Sequence, residues 1–161
     1  MPEIDRKISL YADVRKRIEL LLDDQTDWIG AMSTVVCELH HSFDYFHWTG
    51  FYRVVESGML QIGPYQGGIG CMHIQFGRGV CGKAAATGET QLVPDVHLFD
   101  GHIACSSSTL SELVVPIRSG DDQVVAVLDI DSDSPDAFDA IDASRLEGLC
   151  RYLSERFFSP D

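Results

Sequence analysis

The sequence predicts an α+β fold in which a central antiparallel sheet is packed by N- and C-terminal helices. Hydrophobic residues recur at helical spacing near both ends of the chain, and short strand-like segments lie between those ends. The strand-like segments do not alternate regularly with helices, as they would in a parallel βαβ arrangement. A chain of 161 residues can form one domain with a sizeable core. We therefore expect a single domain over residues 1–161.

Helices are predicted over residues 7–24, 26–41 and 139–158 because apolar side chains recur there every three or four positions. The stripe of the first helix is Leu10, Val14, Ile18 and Leu21. The stripe of the second is Trp28, Met32, Val35, Val36 and Leu39, with Asp24 or Thr26 as its expected N-cap. The last helix carries Leu146, Leu149, Cys150, Leu153 and Phe157.

Strands are predicted where aromatic and β-branched residues are bounded by turn-forming residues. The six segments are residues 45–55, 59–62, 71–76, 91–93, 111–118 and 123–131. A small helix is expected over residues 80–87, between the third and fourth strands. Residues 94–109 show neither the helical nor the strand periodicity of apolar residues. They are expected to form a long loop, and a long loop inside a compact domain is usually functional.

The charge balance of the chain is strongly acidic. There are 25 Asp and Glu residues against 12 Lys and Arg residues, for a formal net charge of −13. Such a charge repels nucleic acid and anionic lipid, so we expect neither as a partner. No segment has the ~20 apolar residues of a membrane span, and the first residues lack the apolar core of a signal peptide. These features predict a cytoplasmic protein.

The five cysteines divide by their sequence surroundings. Cys150 lies on the apolar stripe of the last helix and Cys37 borders that of the second, so both are expected to be core residues. The other three, Cys71, Cys81 and Cys105, lie in the middle of the chain, which is rich in glycine and loops. Cytosolic thiols stay reduced and an odd number cannot pair completely. Reactive thiols are therefore predicted rather than a disulfide framework.

A zinc site is an alternative use of the three central cysteines. His73, His97 and His102 lie nearby in the sequence and would supply imidazole ligands. However, no Cys-x-x-Cys pair is present, and Cys71 and Cys81 are ten positions apart. Because zinc ligands usually come in close pairs, this spacing disfavours a metal site.

A nucleotide site is suggested by residues 77–84, which read GRGVCGKA. They fit the phosphate-loop pattern GxxxxGK[ST] except at Ala84, which has no hydroxyl group to bind Mg²⁺. The surrounding segments also do not predict a parallel βαβ core. The glycines are better explained by a turn and the start of a short helix.

Three acidic residues are predicted to meet on the last two strands. Strand alternation places Asp129 and Asp131 on one face with Val125 and Val127. The opposite face is expected to carry Val124, Ala126, Leu128 and Ile130. The hairpin brings Glu112 into the same region. A solvated strand end is one interpretation; beside an apolar wall, the pKa values of these acids would instead separate, so that one acid stays protonated at neutral pH.

Thiols beside a protonated carboxyl group suit the reduction of a sulfoxide. A thiolate attacks the sulfur while the acid protonates the oxygen, and an ionised carboxylate can hold the ammonium group of an amino acid. Trp48 and Tyr52 are four positions apart on a predicted strand and share one face. They would line a pocket for an apolar methyl group, although a core position is the alternative interpretation for each.

Six segments stand out as a set. They read WTGFY (48–52), GPYQG (63–67), GRGVCG (77–82), DVHLFDGHIAC (95–105), SELVVPI (111–117) and VLDIDS (127–132). Together they resemble the free methionine-(R)-sulfoxide reductases, a family with the GAF-domain fold. The similarity is close over residues 48–142 and looser in the flanking helices. Ser106 departs from the acidic residue that is common after the nucleophile, and Gly68-Ile69-Gly70 departs from the familiar Lys-Ile-Ala.

The resemblance implies a thioredoxin-dependent reduction of free L-methionine-(R)-sulfoxide to L-methionine. Cys105 matches the nucleophile that becomes a sulfenic acid, and Cys71 and Cys81 match the two positions that form the disulfide with it or relay it. Electrons would come from thioredoxin, with no bound cofactor or metal. The family also implies a homodimer.

The resemblance assigns the substrate pocket to five residues. Glu112, Asp129 and Asp131 match the carboxylates that handle the sulfoxide oxygen and the ammonium group, and Glu112 or Asp131 is the expected proton donor. Trp48 and Tyr52 match the pocket for the methyl end. The alternative function is a GAF module that binds a small ligand or senses redox state without turnover. Such modules are normally fused to an effector, whereas one domain uses the whole of this chain.

Overall fold

The computed structural model describes residues 2–159 and confirms the predicted fold class. Four helices are present within these residues, α1 (Glu3–Leu21), α2 (Trp28–Ser42), α3 (Gly79–Thr87) and α4 (Ala140–Phe157). The described part of the chain also forms six strands, β1 (Trp48–Glu56), β2 (Met59–Gln66), β3 (His73–Gln75), β4 (Gln91–Val93), β5 (Ser111–Arg118) and β6 (Val124–Ser132). The loop after β4 contains a single 3₁₀ turn, Val96–Leu98. No helix within residues 2–159 is long and apolar enough to cross a membrane.

The six strands form one antiparallel sheet in the order β3-β2-β1-β6-β5-β4. Helices α2 and α4 pack against one face of the sheet, and α1 packs against those two helices. Helix α3 packs on the opposite face, against β5 and β6. The apolar core is accordingly divided by the sheet into two clusters. The smaller cluster, on the α3 side, contains Trp48 and Tyr52.

Helices α2 and α4 each begin after an aspartate cap. Helix α2 begins after Asp27, whose side chain accepts a hydrogen bond from the amide of Gly30. The predicted caps Asp24 and Thr26 were therefore wrong. Helix α4 begins after Asp139 with a capping box, in which Asp139 accepts from the amide of Asp142 and Asp142 accepts from the amide of Asp139. Side-chain oxygens at these positions satisfy amides that have no partner inside the helix.

Two side chains predicted to be buried in the first two helices are exposed. In α1 the buried stripe continues from Ile18 to Leu22, and Leu21 is exposed. In α2 the buried residues end at Val36 and Leu39, and Cys37 is exposed. Each helical residue is turned by about 100° from the one before it, which carries Cys37 off the buried stripe. Cys150 is buried in the core, as predicted.

A bulge in β6 corrects the predicted alternation at its start. Arg118 pairs with Val124 and Ile117 pairs with Ala126, so Val125 is an extra residue in the strand. Because a bulge shifts the face of every earlier residue, Val125 packs with the helix-side cluster and Val124 with the α3-side cluster. Alternation from Ala126 onward is as predicted, which keeps Asp129 on the α3 side of the sheet.

A buried carboxylate joins α1 to α4. Asp142 is fully buried, and its oxygens accept hydrogen bonds from Tyr11 at 2.7 Å, Tyr45 at 2.6 Å and Lys7 at 2.5 Å. Burial and the neighbouring Asp142 raise the pKa of Tyr11 and Tyr45, so both phenols remain donors. A buried charge with this many partners is costly to alter, because its donors then lose their acceptor.

Replacing Asp142 by asparagine is expected to destabilise the fold by about 3 kcal/mol, because the ion pair with Lys7 is lost and buried donors are mispaired. Urea unfolding followed by circular dichroism measures this change. The matched control is Glu155→Gln, an exposed position on the same helix, which should change stability by less than about 0.5 kcal/mol. Equal stability of the two variants would show that the Asp142 contacts contribute nothing.

Candidate active site

A cavity opens on the α3 side of the sheet, between the strand face and two loops. Its walls come from β1, β5, β6, the start of α3, and the segments around Gly70 and Cys105. The lining includes seven of the eight residues predicted to form the site, namely Trp48, Tyr52, Cys81, Cys105, Glu112, Asp129 and Asp131. The eighth, Cys71, is joined to the cavity by a disulfide bond to Cys105.

Strand register brings the predicted acids together. In one rung across the sheet, Trp48 of β1 lies opposite Asp131 of β6, and Asp131 lies opposite Glu112 of β5. Two residues before Asp131 on β6, Asp129 pairs with Gly50 of β1. Residues two apart on a strand share a face, so both aspartates face the cavity. The predicted approach of Glu112 to Asp131 through the hairpin is confirmed.

The aromatic wall of the cavity depends on two glycines. The rings of Trp48 and Tyr52 are stacked with centroids 5.9 Å apart, and the Trp48 indole donates a hydrogen bond to the carbonyl of Gly68 at 2.9 Å. A Cβ atom at Gly50 would lie 2.5 Å from the Trp48 ring, and one at Gly70 would lie 3.0 Å from the Tyr52 hydroxyl. Side chains at these glycines would therefore displace the rings from the wall.

Three acidic side chains and a thiol form the floor of the cavity. The Cys81 sulfur and one carboxylate oxygen each from Glu112 and Asp129 all lie within 4.8 Å of one another, and all three residues are buried. Glu112 Oε1 lies 3.9 Å from Cys81 Sγ. Asp131 lies beside them and is only partly buried. Within residues 2–159, no lysine or arginine comes within ion-pair distance of these three carboxyl groups.

Burial shifts the titration of every acid in this group. The pKa of Glu112 lies well above its usual value because of burial, with repulsion from Asp129 and Asp131 adding to the shift. Burial and the Asp129 charge likewise raise the pKa of Asp131. Burial raises the pKa of Asp129 only to about 6, because hydrogen bonding to Glu112 and Cys81 opposes the shift. Burial therefore favours the protonated forms of Glu112 and Asp131, and Asp129 is the acid of the group that ionises most readily.

The carboxylate of Asp129 faces the cavity without full hydrogen bonding. Its Oδ1 atom is buried and has no hydrogen-bond partner among residues 2–159. A buried oxygen of this kind is costly unless a ligand supplies a donor. The arrangement suits a cationic group that enters the cavity and donates to Asp129.

The disulfide at the cavity links two loops that are distant in sequence. Cys71 and Cys105 are bonded, with their Cα atoms 5.2 Å apart across 34 positions of sequence. Cys105 is exposed and Cys71 is partly exposed, so the bond is accessible from solvent. Cys81 is a free, buried thiol whose pKa is raised well above its usual value by burial and by the neighbouring carboxylates. In this form the cavity has a free volume of about 30 Å³, room for about two water molecules.

Neither alternative use of these residues fits their arrangement. Among residues 2–159, the group of possible metal ligands is Cys81, Glu112 and Asp129, so the histidines considered for zinc do not join it. The phosphate-loop pattern spans a turn and α3, which follows the antiparallel edge strand β3. A phosphate loop instead joins a parallel strand to its helix, so that mechanism is lost.

The structure adds groups that the sequence did not single out for a substrate. Arg78 and Gly79 line the cavity at the start of α3, which is capped by no side chain of residues 2–159. Uncapped amides at a helix start favour an anion. His102 also lines the cavity, with Nε2 3.8 Å from Oε2 of Glu112. The signal for His102 was its place in the DGHIAC segment; nothing local indicated that Arg78 faces the cavity.

Comparisons with known proteins agree with this architecture. The family model for the GAF domain matches residues 27–155. Free methionine-R-sulfoxide reductase of Saccharomyces cerevisiae is 42% identical over 143 residues, covering 85% of this chain and 79% of the yeast protein. The Escherichia coli protein of the same name is 36% identical over 155 residues, covering 96% and 93%. The crystal structure of free methionine-R-sulfoxide reductase from Neisseria meningitidis, in complex with its substrate, has a TM-score of 0.89 at 42% identity, covering 94% of this chain and 90% of that one.

Proposed function

Because the chain belongs to the GAF-domain family of free methionine-R-sulfoxide reductases, we propose that it reduces free L-methionine-(R)-sulfoxide to L-methionine with electrons from thioredoxin. The enzyme is an oxidoreductase that acts on sulfur. The observation that carries the proposal is that an accessible cysteine pair meets acids of raised pKa in one cavity. A sulfoxide needs both a sulfur nucleophile and a proton for its oxygen.

The cavity offers a separate partner for each end of the substrate. The ionised Asp129 would hold the ammonium group, which supplies the donor that Oδ1 lacks. Trp48 and Tyr52 would contact the methyl end, since their rings form the apolar wall. The substrate carboxylate would lie at the start of α3 beside Arg78. This arrangement requires the free amino acid, because both its ammonium and its carboxylate groups are used.

The reaction follows from the remaining groups. The thiolate of Cys105 attacks the sulfoxide sulfur while Glu112 or Asp131 gives its proton to the oxygen, and methionine leaves with Cys105 as a sulfenic acid. The thiol of Cys71 then attacks the sulfenic sulfur, forming the Cys71–Cys105 disulfide and releasing water. In sum, one sulfoxide and two thiols give one thioether, one disulfide and one water molecule.

We assign the resolving role to Cys71 rather than Cys81. Cys71 is already bonded to Cys105, whereas Cys81 is buried and its raised pKa keeps it a thiol, a poor nucleophile. Cys81 would instead help to orient Glu112, 3.9 Å away.

Thioredoxin would complete the cycle by exchange with the accessible disulfide. The scheme needs no bound cofactor or metal, because electrons pass from the thiols of thioredoxin to the Cys71–Cys105 disulfide, and from the resulting thiols to the sulfoxide. The cytoplasm is the proposed location, since its thiols are kept reduced, and a homodimer is the proposed assembly. A GAF module without turnover is not favoured, because the relatives above are named as reductases.

The proposal predicts that NADPH is consumed when the protein is mixed with thioredoxin, thioredoxin reductase and free methionine-(R)-sulfoxide. A peptide containing methionine sulfoxide should be a poor substrate, since the cavity would hold both charged ends of one amino acid. The S epimer should also be poor, because with the same ends held its oxygen and methyl group exchange places, which turns the oxygen away from the acids and toward the aromatic wall. Methionine formed is measured by chromatography in parallel. Turnover of the S epimer alone, or binding of the sulfoxide without any thiol consumption, would overturn the proposal in favour of another substrate or a sensing role.

A further inference from the structure

His102 has no role in the reaction as described above. It lies in the loop that carries Cys105 and lines the cavity. Its Nε2 atom is 3.8 Å from Oε2 of Glu112, and the two side chains are 15% and 8% exposed. Distances between catalytic partners are often longer before substrate binds and shorten in the complex. His102 is thus the more solvent-accessible member of a buried pair.

The two oxygens of Glu112 face different surroundings. Oε1 faces the thiol of Cys81, which is buried and keeps its proton. Oε2 faces His102, which reaches solvent. A glutamate that has given its proton to a sulfoxide oxygen becomes a buried carboxylate near Asp129, which is unfavourable. It must regain a proton before the next turnover, and His102 lies on the solvent side.

The groups around His102 suit a residue that gains and loses a proton. Glu112 of the sheet is its neighbour at 3.8 Å, and the other charged or titratable groups that line the same cavity are Arg78, Cys81, Asp129 and Asp131. Burial lowers the pKa of His102, and His97 of the same loop lowers it further. The resting imidazole is therefore neutral and does not draw the proton from Glu112. Once Glu112 is ionised, the new negative charge favours the imidazolium.

We propose that His102 is a positioning and proton-transfer residue that orients Glu112 and returns to it the proton given to the sulfoxide oxygen. This inference rests on the proposed function. In each turnover Glu112 loses one proton to the oxygen, His102 gives one proton to the Glu112 carboxylate, and His102 takes one proton from solvent water. The proton taken up from the solvent balances the O–H bond formed on the sulfoxide and equals the proton that Cys105 releases when it ionises to the thiolate, so the turnover is proton-neutral and His102 ends in its starting state.

The test compares His102→Asn and His102→Ala with His41→Asn, a matched change at an exposed histidine on α2, outside the cavity. Methionine formation is followed over many turnovers with dithiothreitol as reductant, so that thioredoxin docking plays no part. Both His102 variants should lower kcat by roughly tenfold to 100-fold with little change in KM, because the loss affects proton transfer rather than binding. Imidazole added at millimolar concentration should restore much of the kcat of His102→Ala, while His41→Asn should resemble the native protein.

Two results would overturn the role of His102. One is a kcat of His102→Asn within about twofold of the native value. The other is a His102→Ala variant that melts like the native protein but gains nothing from imidazole, which would leave only a structural role. Failure of the native protein itself to form methionine would instead overturn the proposed function, so the two failures are distinguishable.

Discussion

Replacing Cys105 by serine is expected to lower the rate of methionine formation by at least about 10³-fold. Serine nearly preserves the shape of the side chain, but its hydroxyl group is not ionised at neutral pH and cannot attack the sulfoxide sulfur as a thiolate does. The measurement is the coupled NADPH assay together with direct quantification of methionine. Because Cys105 lies in an exposed loop, the variant should fold normally.

Two matched cysteine variants sharpen this prediction. Cys37→Ser changes an exposed thiol on α2, outside the cavity, and should keep full activity. Cys71→Ser should still form close to one equivalent of methionine per enzyme and then stop with thioredoxin, because the sulfenic acid on Cys105 has no resolving partner. Full activity in Cys105→Ser, or a normal thioredoxin-driven cycle in Cys71→Ser, would contradict the assigned order of thiols.

Replacing Glu112 by glutamine is expected to lower kcat by roughly 10²-fold to 10³-fold, because the amide cannot give an acidic proton to the sulfoxide oxygen. The pH dependence gives a second readout. Burial and the neighbouring aspartates raise the pKa of Glu112, so the native acid is protonated at neutral pH and the rate should fall as pH rises through that raised pKa. In Glu112→Gln this alkaline decline should be absent. The measurement is kcat between about pH 6 and pH 10.

The control for the second prediction is Asp131→Asn, which tests the other candidate acid in the same rung of the sheet. If Asp131 supplies the proton, Asp131→Asn will lose the alkaline decline and Glu112→Gln will keep it. Glu89→Gln, at an exposed position outside the cavity, should leave both the rate and its pH profile unchanged. A Glu112→Gln enzyme with native kcat would remove Glu112 from the chemistry.

Much of the fold follows from local pattern. The sequence predicted the exact bounds of β4 and β5 and the existence of every other helix and strand. These features are local, because hydrophobic periodicity and turn residues can be read from short segments of the chain. Cys37 was wrongly predicted to be buried, because a residue next to the apolar stripe of a helix can face either the core or the solvent. The order of Val124 and Val125 was also predicted wrongly, because a bulge depends on pairing with β5.

By itself, the sequence determined the fold class, the family resemblance and the residue types available for sulfur chemistry. Tertiary structure decided how those residues meet. Strand register places Glu112 beside Asp131, loop closure joins Cys71 to Cys105, and chain packing brings His102 to Glu112. The raised pKa values likewise exist only after folding, since a carboxyl group loses its water only when distant segments bury it. Composition and spacing are local properties, whereas desolvation and proximity belong to the folded chain.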